Sequence, residues 1–212
     1  MTDTDNCDRQ VVRDGYERHA ATYASMRSAS TRELGILDEF LRSCEVPARV
    51  LDAGCGQGRP VLGRLSDRFT AVGLDFSREQ LRLAADAAPS AALVEGDLVA
   101  LPFRDDVFDV VVAAHSIIHV PLDDHQTVLD EFARVLRPEG RLLLSEAPEE
   151  RRRTSTDWLD SDDEMTWEIA GMETTRRQLR HAGFDVFSEW EVPDQSGREK
   201  PEAPFVAAQL TD

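Results

Sequence analysis

From residue 48 onward, short apolar runs alternate with segments whose apolar residues recur every three or four positions. Residues 48–54, 69–75, 91–97, 107–116 and 140–147 have the length and continuous apolarity of strands buried on both faces. Residues 59–68, 77–88 and 125–137, between them, have helical spacing. Pro60 falls in the first turn of the first helix, where a missing N–H does no harm. Ser77 and Gln80 make a capping-box pattern at the second, and Pro138 with Gly140 stops the third. Residues 10–43 read as two helices ahead of the first strand. The alternation predicts an α/β fold: a doubly wound, mostly parallel sheet with helices on both faces.

After residue 147 the pattern breaks. Residues 148–170 are too polar and too long for a plain connection, so they predict an insertion that caps the core. Met165, Trp167 and Ile169 alternate with polar residues there, as in a strand with one buried face. A helix ended by Gly183, a strand over 184–192, a turn-rich loop over 193–202 and a final strand over 203–210 complete the reading. Residues 1–212 thus read as one domain: N-terminal helices, a core over 48–147, the cap, and a helix with a strand pair over 171–212.

Composition narrows the function. A chain of 212 residues that is 41% hydrophobic can bury a substantial core. It has no run of 18 apolar residues, so no membrane span is expected. The opening MTDTDNCDRQ is acidic and polar, unlike a signal or transit peptide. Cys7, Cys44 and Cys55 are widely spaced, which predicts reduced thiols in a cytoplasm and no metal site. Net charge is −17, and of the 24 basic residues only Lys200 is a lysine. That acidity argues against a nucleic-acid partner, which needs a basic footprint. It fits either a plain acidic protein or one adapted to a high-salt, halophilic cytosol. A monomer or a homodimer is expected.

The densest stretch is RVLDAGCGQGRP, residues 49–60. A nucleoside triphosphate loop requires Gly-Lys-Ser/Thr after its second glycine, and none is present. A dinucleotide turn requires G-x-G-x-x-G/A, whereas Gly54, Gly56 and Gly58 are spaced G-x-G-x-G and Arg59 stands where the third glycine would be. Asp52 just before the turn would repel a pyrophosphate; it could instead accept loop amides or meet a cationic group. The residues therefore favour a nucleoside bearing positive charge over one bearing phosphates.

Four stretches in order carry a resemblance: VLDAGCGQG, GLDFSREQLRLA, EGDLVALPFRDDVFDVVVAAHSIIHV and FARVLRPEGRLLLSE. Together they resemble the class I S-adenosylmethionine-dependent methyltransferases, of the small-molecule type related to ubiquinone and menaquinone biosynthesis. The likeness is specific over residues 49–147 and weaker over 10–48 and 171–212. It implies a Rossmann-like sheet of seven strands with the last antiparallel, S-adenosylmethionine as cofactor, and a small-molecule methyl acceptor. Gly54, Gly56 and Gly58 would let the turn pass under the cofactor's methionine portion. Asp75, ending the second strand, would accept from the ribose hydroxyls. Asp97 would accept from the adenine amino group with Leu98 beside the ring, and Phe76 would pack on the adenine or join the core. His115 would lie near the methionyl part through its backbone. YERHAATYASMR resembles the segment that covers the cofactor, where Tyr23 and Arg27 could close over its carboxylate.

His115 and His119 follow the fourth strand at the edge of the expected site, as candidate general bases or as packing residues. His19, His125 and His181 read as surface or packing residues. Trp158 and Trp167 in the cap either line an acceptor pocket or anchor the cap to the core. A cofactor-binding regulatory or scaffold protein without turnover would carry the same cofactor motifs, and a NAD-binding oxidoreductase is the remaining, less favoured alternative. No Asn/Asp-Pro-Pro-aromatic run follows the fourth strand, as DNA amino-methyltransferases would have.

Overall fold

A computed structural model describes residues 9–27, 30–190 and 204–211. The acidic opening with Cys7, the loop expected at 193–202 and the ends of the strands expected at 184–192 and 203–210 lie outside the described residues. Two helices, α1 (Arg9–Met26) and α2 (Thr31–Arg42), precede β1 (Arg49–Ala53). The core continues with α3 (Val61–Ser66), β2 (Thr70–Asp75), α4 (Arg78–Ala87), β3 (Ala92–Glu95), β4 (Phe108–Ala113), α5 (His125–Val135) and β5 (Leu136–Ser145). The cap contributes β6 (Arg151–Ser155) and β7 (Met165–Ile169). Then come α6 (Met172–His181), β8 (Phe184–Trp190) and β9 (Phe205–Leu210).

Seven strands form one sheet in the order β3-β2-β1-β4-β5-β9-β8. β1 pairs in parallel with both β2 and β4, while β9 runs antiparallel to β5 and β8. The seven-stranded sheet with its last strand reversed is therefore present. Alternate residues of each central strand serve opposite layers of core. Val111 and Leu142 pack with Leu129 and Phe132 of α5, whereas Val110, Val112 and Leu143 pack with Phe40 of α2 and Leu62 of α3. The chain reverses its direction of travel across the sheet between β1 and β4, the position where such folds open a crevice at their strand ends.

Three local expectations change. Pro138 and Gly140 lie within β5, whose pairing jumps from Phe108↔Leu136 to Val110↔Arg141. The extra residues form a bulge, with Glu139 at φ 63, so the helix meets the strand with no intervening turn. At α4, Ser77 Oγ does accept the Gln80 amide (3.2 Å), but Gln80's side chain makes no return bond. Asp75 instead takes the Ser77 amide at 2.9 Å. In the cap, β7 pairs antiparallel with β6, which periodicity missed because RRRTS has no apolar position. Met165 is buried as expected, yet Glu168 on the opposite face is buried too, while Trp167 and Ile169 are half-buried. The hairpin is packed on both faces because Glu168 accepts the Leu122 amide (2.8 Å).

Among the described residues, no helix is long and apolar enough to cross a membrane, and no cluster of three or more His, Cys, Asp or Glu could hold a metal.

Candidate active site

A cleft enclosing about 910 Å³, including its open mouth, lies where β1, β2 and β4 end. Its floor is the turn after β1. The Gly54 and Cys55 amides both donate to the Leu74 carbonyl (2.8 and 2.9 Å), which draws the turn against β2. Gly54 has φ +80, and a Cβ there would run into Ser116, so only glycine fits. Gly56 donates its amide to Asp75 Oδ2 at 2.8 Å, and its hypothetical Cβ meets only the Gln80 Oε1, at 3.9 Å. Open space above Gly56 is what close approach by a ligand requires.

Several polar groups in this cleft are buried without partners. Asp52 is 2% exposed, and its Oδ2 has no hydrogen bond. Burial, then the nearby Asp75 charge, pushes its carboxyl up to about 8. Burial also raises Asp75, to about 6, against the hydrogen bonds from the Ser77 and Gly56 amides. Gln80 is 1% exposed, with neither amide atom satisfied, and Ser116 Oγ is likewise unpaired. Unsatisfied buried groups are costly, so their concentration in one cleft marks a ligand site. A polar ligand carrying positive charge fits these donors and acceptors.

The roof is α1. Tyr16 and Tyr23 line the cleft from this helix, and Arg27 from just past its end. The Tyr16 and Tyr23 rings meet edge to face at 5.0 Å. Tyr16 Oη lies 2.9 Å from His119 Nε2, and His119 Nδ1 lies 3.3 Å from the Thr166 carbonyl. Burial lowers His119 to about 4, so the imidazole is neutral at pH 7, and burial holds the Tyr16 phenol well above its usual value. His119 Nδ1–H then donates to Thr166, which leaves Nε2 to accept from Tyr16. His115 adopts φ 58, a left-handed conformation rare outside glycine. Its amide donates to Ser145 Oγ (2.6 Å), and its Nε2 meets Glu33 Oε1 at 2.6 Å.

A methyltransferase-domain family profile matches residues 51–144. This core belongs to the methyltransferase family. GfsG of Streptomyces halstedii, named a methyltransferase, is 36% identical over 178 residues, which are 74% of this chain and 59% of GfsG. A demethylmenaquinone methyltransferase of Shouchella clausii is 34% identical over 104 residues, 45% of this chain and 43% of that protein. The chain thus spans about half the length of these relatives. The structure of DhpI in complex with SAH superposes with a TM-score of 0.75 at 19% identity, over 96% of this chain and 97% of DhpI, which is a likeness of fold. The cofactor of this family is S-adenosylmethionine.

The cleft brings together Tyr23, Arg27, Asp52, Gly54, Gly56, Asp75, Phe76, Asp97, Leu98, His115 and His119, all named from sequence. Asp97 also pairs with Arg9 (3.3 Å) and accepts the Val99 amide (3.2 Å), so it is a turn residue as well as part of the cleft. Gly58 serves the same turn from its far side. It does not line the cleft; its missing Cβ would lie 3.0 Å from Ala84 Cα, so it lets the turn pack against α4. Of the two roles open to Asp52, the Gly56 amide goes to Asp75 instead, and the unpaired Oδ2 of Asp52 fits the other, meeting a cationic group. Trp158 and Trp167 do not line this cleft. Trp158 is buried against Tyr16, Tyr23 and His19, with ring centroids 5.1, 6.1 and 5.9 Å away. Trp167 lies 6.0 Å from the His119 ring.

His125 is fully buried, with Nε2 on the Val120 carbonyl (3.0 Å), and His181 is exposed; both fit packing or surface roles. His19 sits at a kink in α1 and joins Arg18 on Asp163 of the cap. Tyr16's link to His119, the unpaired Gln80 and the Glu17 carboxylate on Ser77 Oγ (2.6 Å) went unread in the sequence. Each joins segments 60 or more residues apart or hides inside a helix-cap pattern.

Proposed function

We propose that this chain transfers a methyl group from S-adenosylmethionine to a small-molecule acceptor, in the cytoplasm and without a nucleic-acid partner. The observation that carries the reading is the buried, unpartnered Asp52 Oδ2 and Gln80 amide in a cleft with open space above Gly56. These atoms fit a polar, cationic nucleoside, and an ionised Asp52 would repel a pyrophosphate. Asp75 keeps free lone pairs for ribose hydroxyls after accepting two amides, because a carboxylate has about four acceptor sites. Asp97, Leu98 and Phe76 would hold the base, and Tyr23 with Arg27 the carboxylate end.

When bound, the cofactor supplies an electrophilic methyl carbon on a sulfonium. The chain's own work is to orient and to exclude water, and orientation supplies much of the rate. α1 covers the cleft through Tyr16, with Trp158 of the cap packed behind that ring. His115's ring is engaged by Glu33, and the neutral Tyr16–His119 pair offers a hydrogen-bonding group at the cleft. Calorimetry should show S-adenosylmethionine and S-adenosylhomocysteine binding and no NADH binding. Transfer of labelled methyl to a panel of small acceptors then separates an enzyme from a binding protein without turnover. NADH bound more tightly than either would end this reading.

A further inference from the structure

Three consecutive arginines, Arg151 to Arg153, form most of the cap's first strand in a chain of net charge −17. Strand alternation divides them. Arg152 stands opposite Glu168 and reaches its buried carboxylate at 3.5 Å, so the middle arginine supports the hairpin. Arg151 and Arg153 stand opposite Ile169 and Trp167 on the other face. The Arg153 guanidinium lies 5.4 Å over the Trp167 ring. Among the described residues neither Arg151 nor Arg153 pairs with a carboxylate, whereas Arg13, Arg18, Arg78, Arg134 and Arg176 each hold one at 2.9 Å or closer. Although Glu149 and Glu150 precede them in the chain, these two exposed arginines pair with no carboxylate, so their guanidinium donors can meet an anion from outside.

Their position connects them to the cleft. Trp167 meets the ring of His119, which lines the cleft and bonds to Tyr16. We propose that the cap face bearing Trp167, Arg153 and Arg151 recognises the methyl acceptor, and that this acceptor is a flat conjugated molecule carrying an acidic group. The Trp167 ring offers an apolar surface for the flat body. An arginine fork matches a carboxylate with two parallel hydrogen bonds, and a stacked guanidinium is already ordered for it. This rests on the methyltransferase reading above.

The test uses 2-naphthoate and its neutral counterpart 2-naphthamide as probes, titrated into the full chain saturated with S-adenosylhomocysteine. Naphthoate should bind at least about tenfold more tightly than the amide. The preference should disappear in the Arg151→Gln, Arg153→Gln double variant, while affinity for S-adenosylhomocysteine and melting temperature stay unchanged. Trp167→Ala should weaken both probes. Equal binding of the two probes, a preference that survives the double variant, or no naphthoate binding by protein that does bind S-adenosylhomocysteine would each overturn the proposal. Failure to bind S-adenosylhomocysteine would overturn the methyltransferase reading and this proposal with it.

Discussion

Asp75 fixes the glycine turn from the neighbouring strand: its Oδ2 accepts the Gly56 amide at 2.8 Å, 19 residues back in the chain. The other oxygen starts α4 through the Ser77 amide. One side chain therefore shapes the turn, starts a helix and faces the cleft. Asp75→Ala should weaken S-adenosylhomocysteine binding by about ten- to a hundredfold, the worth of a hydrogen bond to a charged group. It should also lower stability by about 1–3 kcal/mol, because two amides lose their acceptor. Calorimetry and a denaturant titration check both. Unchanged affinity would reduce Asp75 to a structural clasp.

Asp52 makes a pH prediction. Its carboxyl sits at about 8 in the fold, against 3.8 for a free aspartate. The unfolded chain loses that proton first, so the native state binds more protons between the two values and stability falls as pH rises. His119 acts oppositely: lowered to about 4 from 6.5, it makes stability rise with pH across that interval. The two effects separate in a difference measurement. The stability advantage of Asp52→Asn over the parent should grow from about pH 4 to about pH 8 and level off above, reaching several kcal/mol. A difference independent of pH would mean that Asp52 is ionised in the ligand-free fold.

Much of this was legible in the sequence because it is local. Five core strands and the helices between them were visible as apolar runs and helical spacing, and the residues at the strand ends fall together because parallel strands all finish at one edge. What periodicity could not show is where side chains from distant segments meet. Gly58 looks like its neighbours in G-x-G-x-G, and only the approach of Ala84 assigns it to helix packing. β6 went unseen because three arginines carry no apolar signal, and the burial of Glu168 depends on the Leu122 amide 46 residues away. The resemblance marked cofactor residues more clearly than acceptor residues for the same reason, since the cap has no local pattern.

We propose that Trp158 anchors the cap. It is 8% exposed and packs on Val12, Tyr16 and Met165. Trp158→Ala should cost about 3–5 kcal/mol, the usual penalty for emptying a large aromatic site. Cofactor affinity should fall as well, because Tyr16 and Tyr23 rest on the same ring and line the cleft. Full stability with selective loss of acceptor turnover would instead make Trp158 a pocket residue.

Glu33 has two partners at once. Its Oε2 accepts the Ser30 amide (2.8 Å) in the capping box of α2, while Oε1 meets His115 at 2.6 Å. Burial opposes its charge, but the His115 and Ser30 contacts hold its carboxyl below the ordinary value. Stability from Glu33 is therefore present above a free glutamate's pKa and lost as pH falls through the lowered folded value. Glu33→Ala should cost about 1–2 kcal/mol at neutral pH, and Glu33→Gln less because its carbonyl oxygen can keep one bond. Equal losses for both variants would show that charge, and not hydrogen bonding, is what Glu33 supplies.

The carboxylate excess leads to a test of salt adaptation. With 41 acidic and 24 basic residues, 17 negative charges remain after every cation is matched. At low ionic strength these repel across the whole molecule, since the Debye length is about 30 Å at 0.01 M. At about 1 M it shrinks to roughly 3 Å, and the repulsion is lost. Salt also weakens exposed ion pairs such as Arg176–Glu189 and Arg78–Glu95, but such solvent-screened pairs contribute little. Relief of long-range repulsion should win, so melting temperature should climb steadily from about 0.01 M to above 1 M KCl. Replacing exposed aspartates that hold no arginine, such as Asp123 and Asp160, by asparagine should reduce the dependence on salt without changing the melting temperature at high salt. A flat melting curve, or one that falls as the arginine pairs are screened, would make this an ordinary acidic protein.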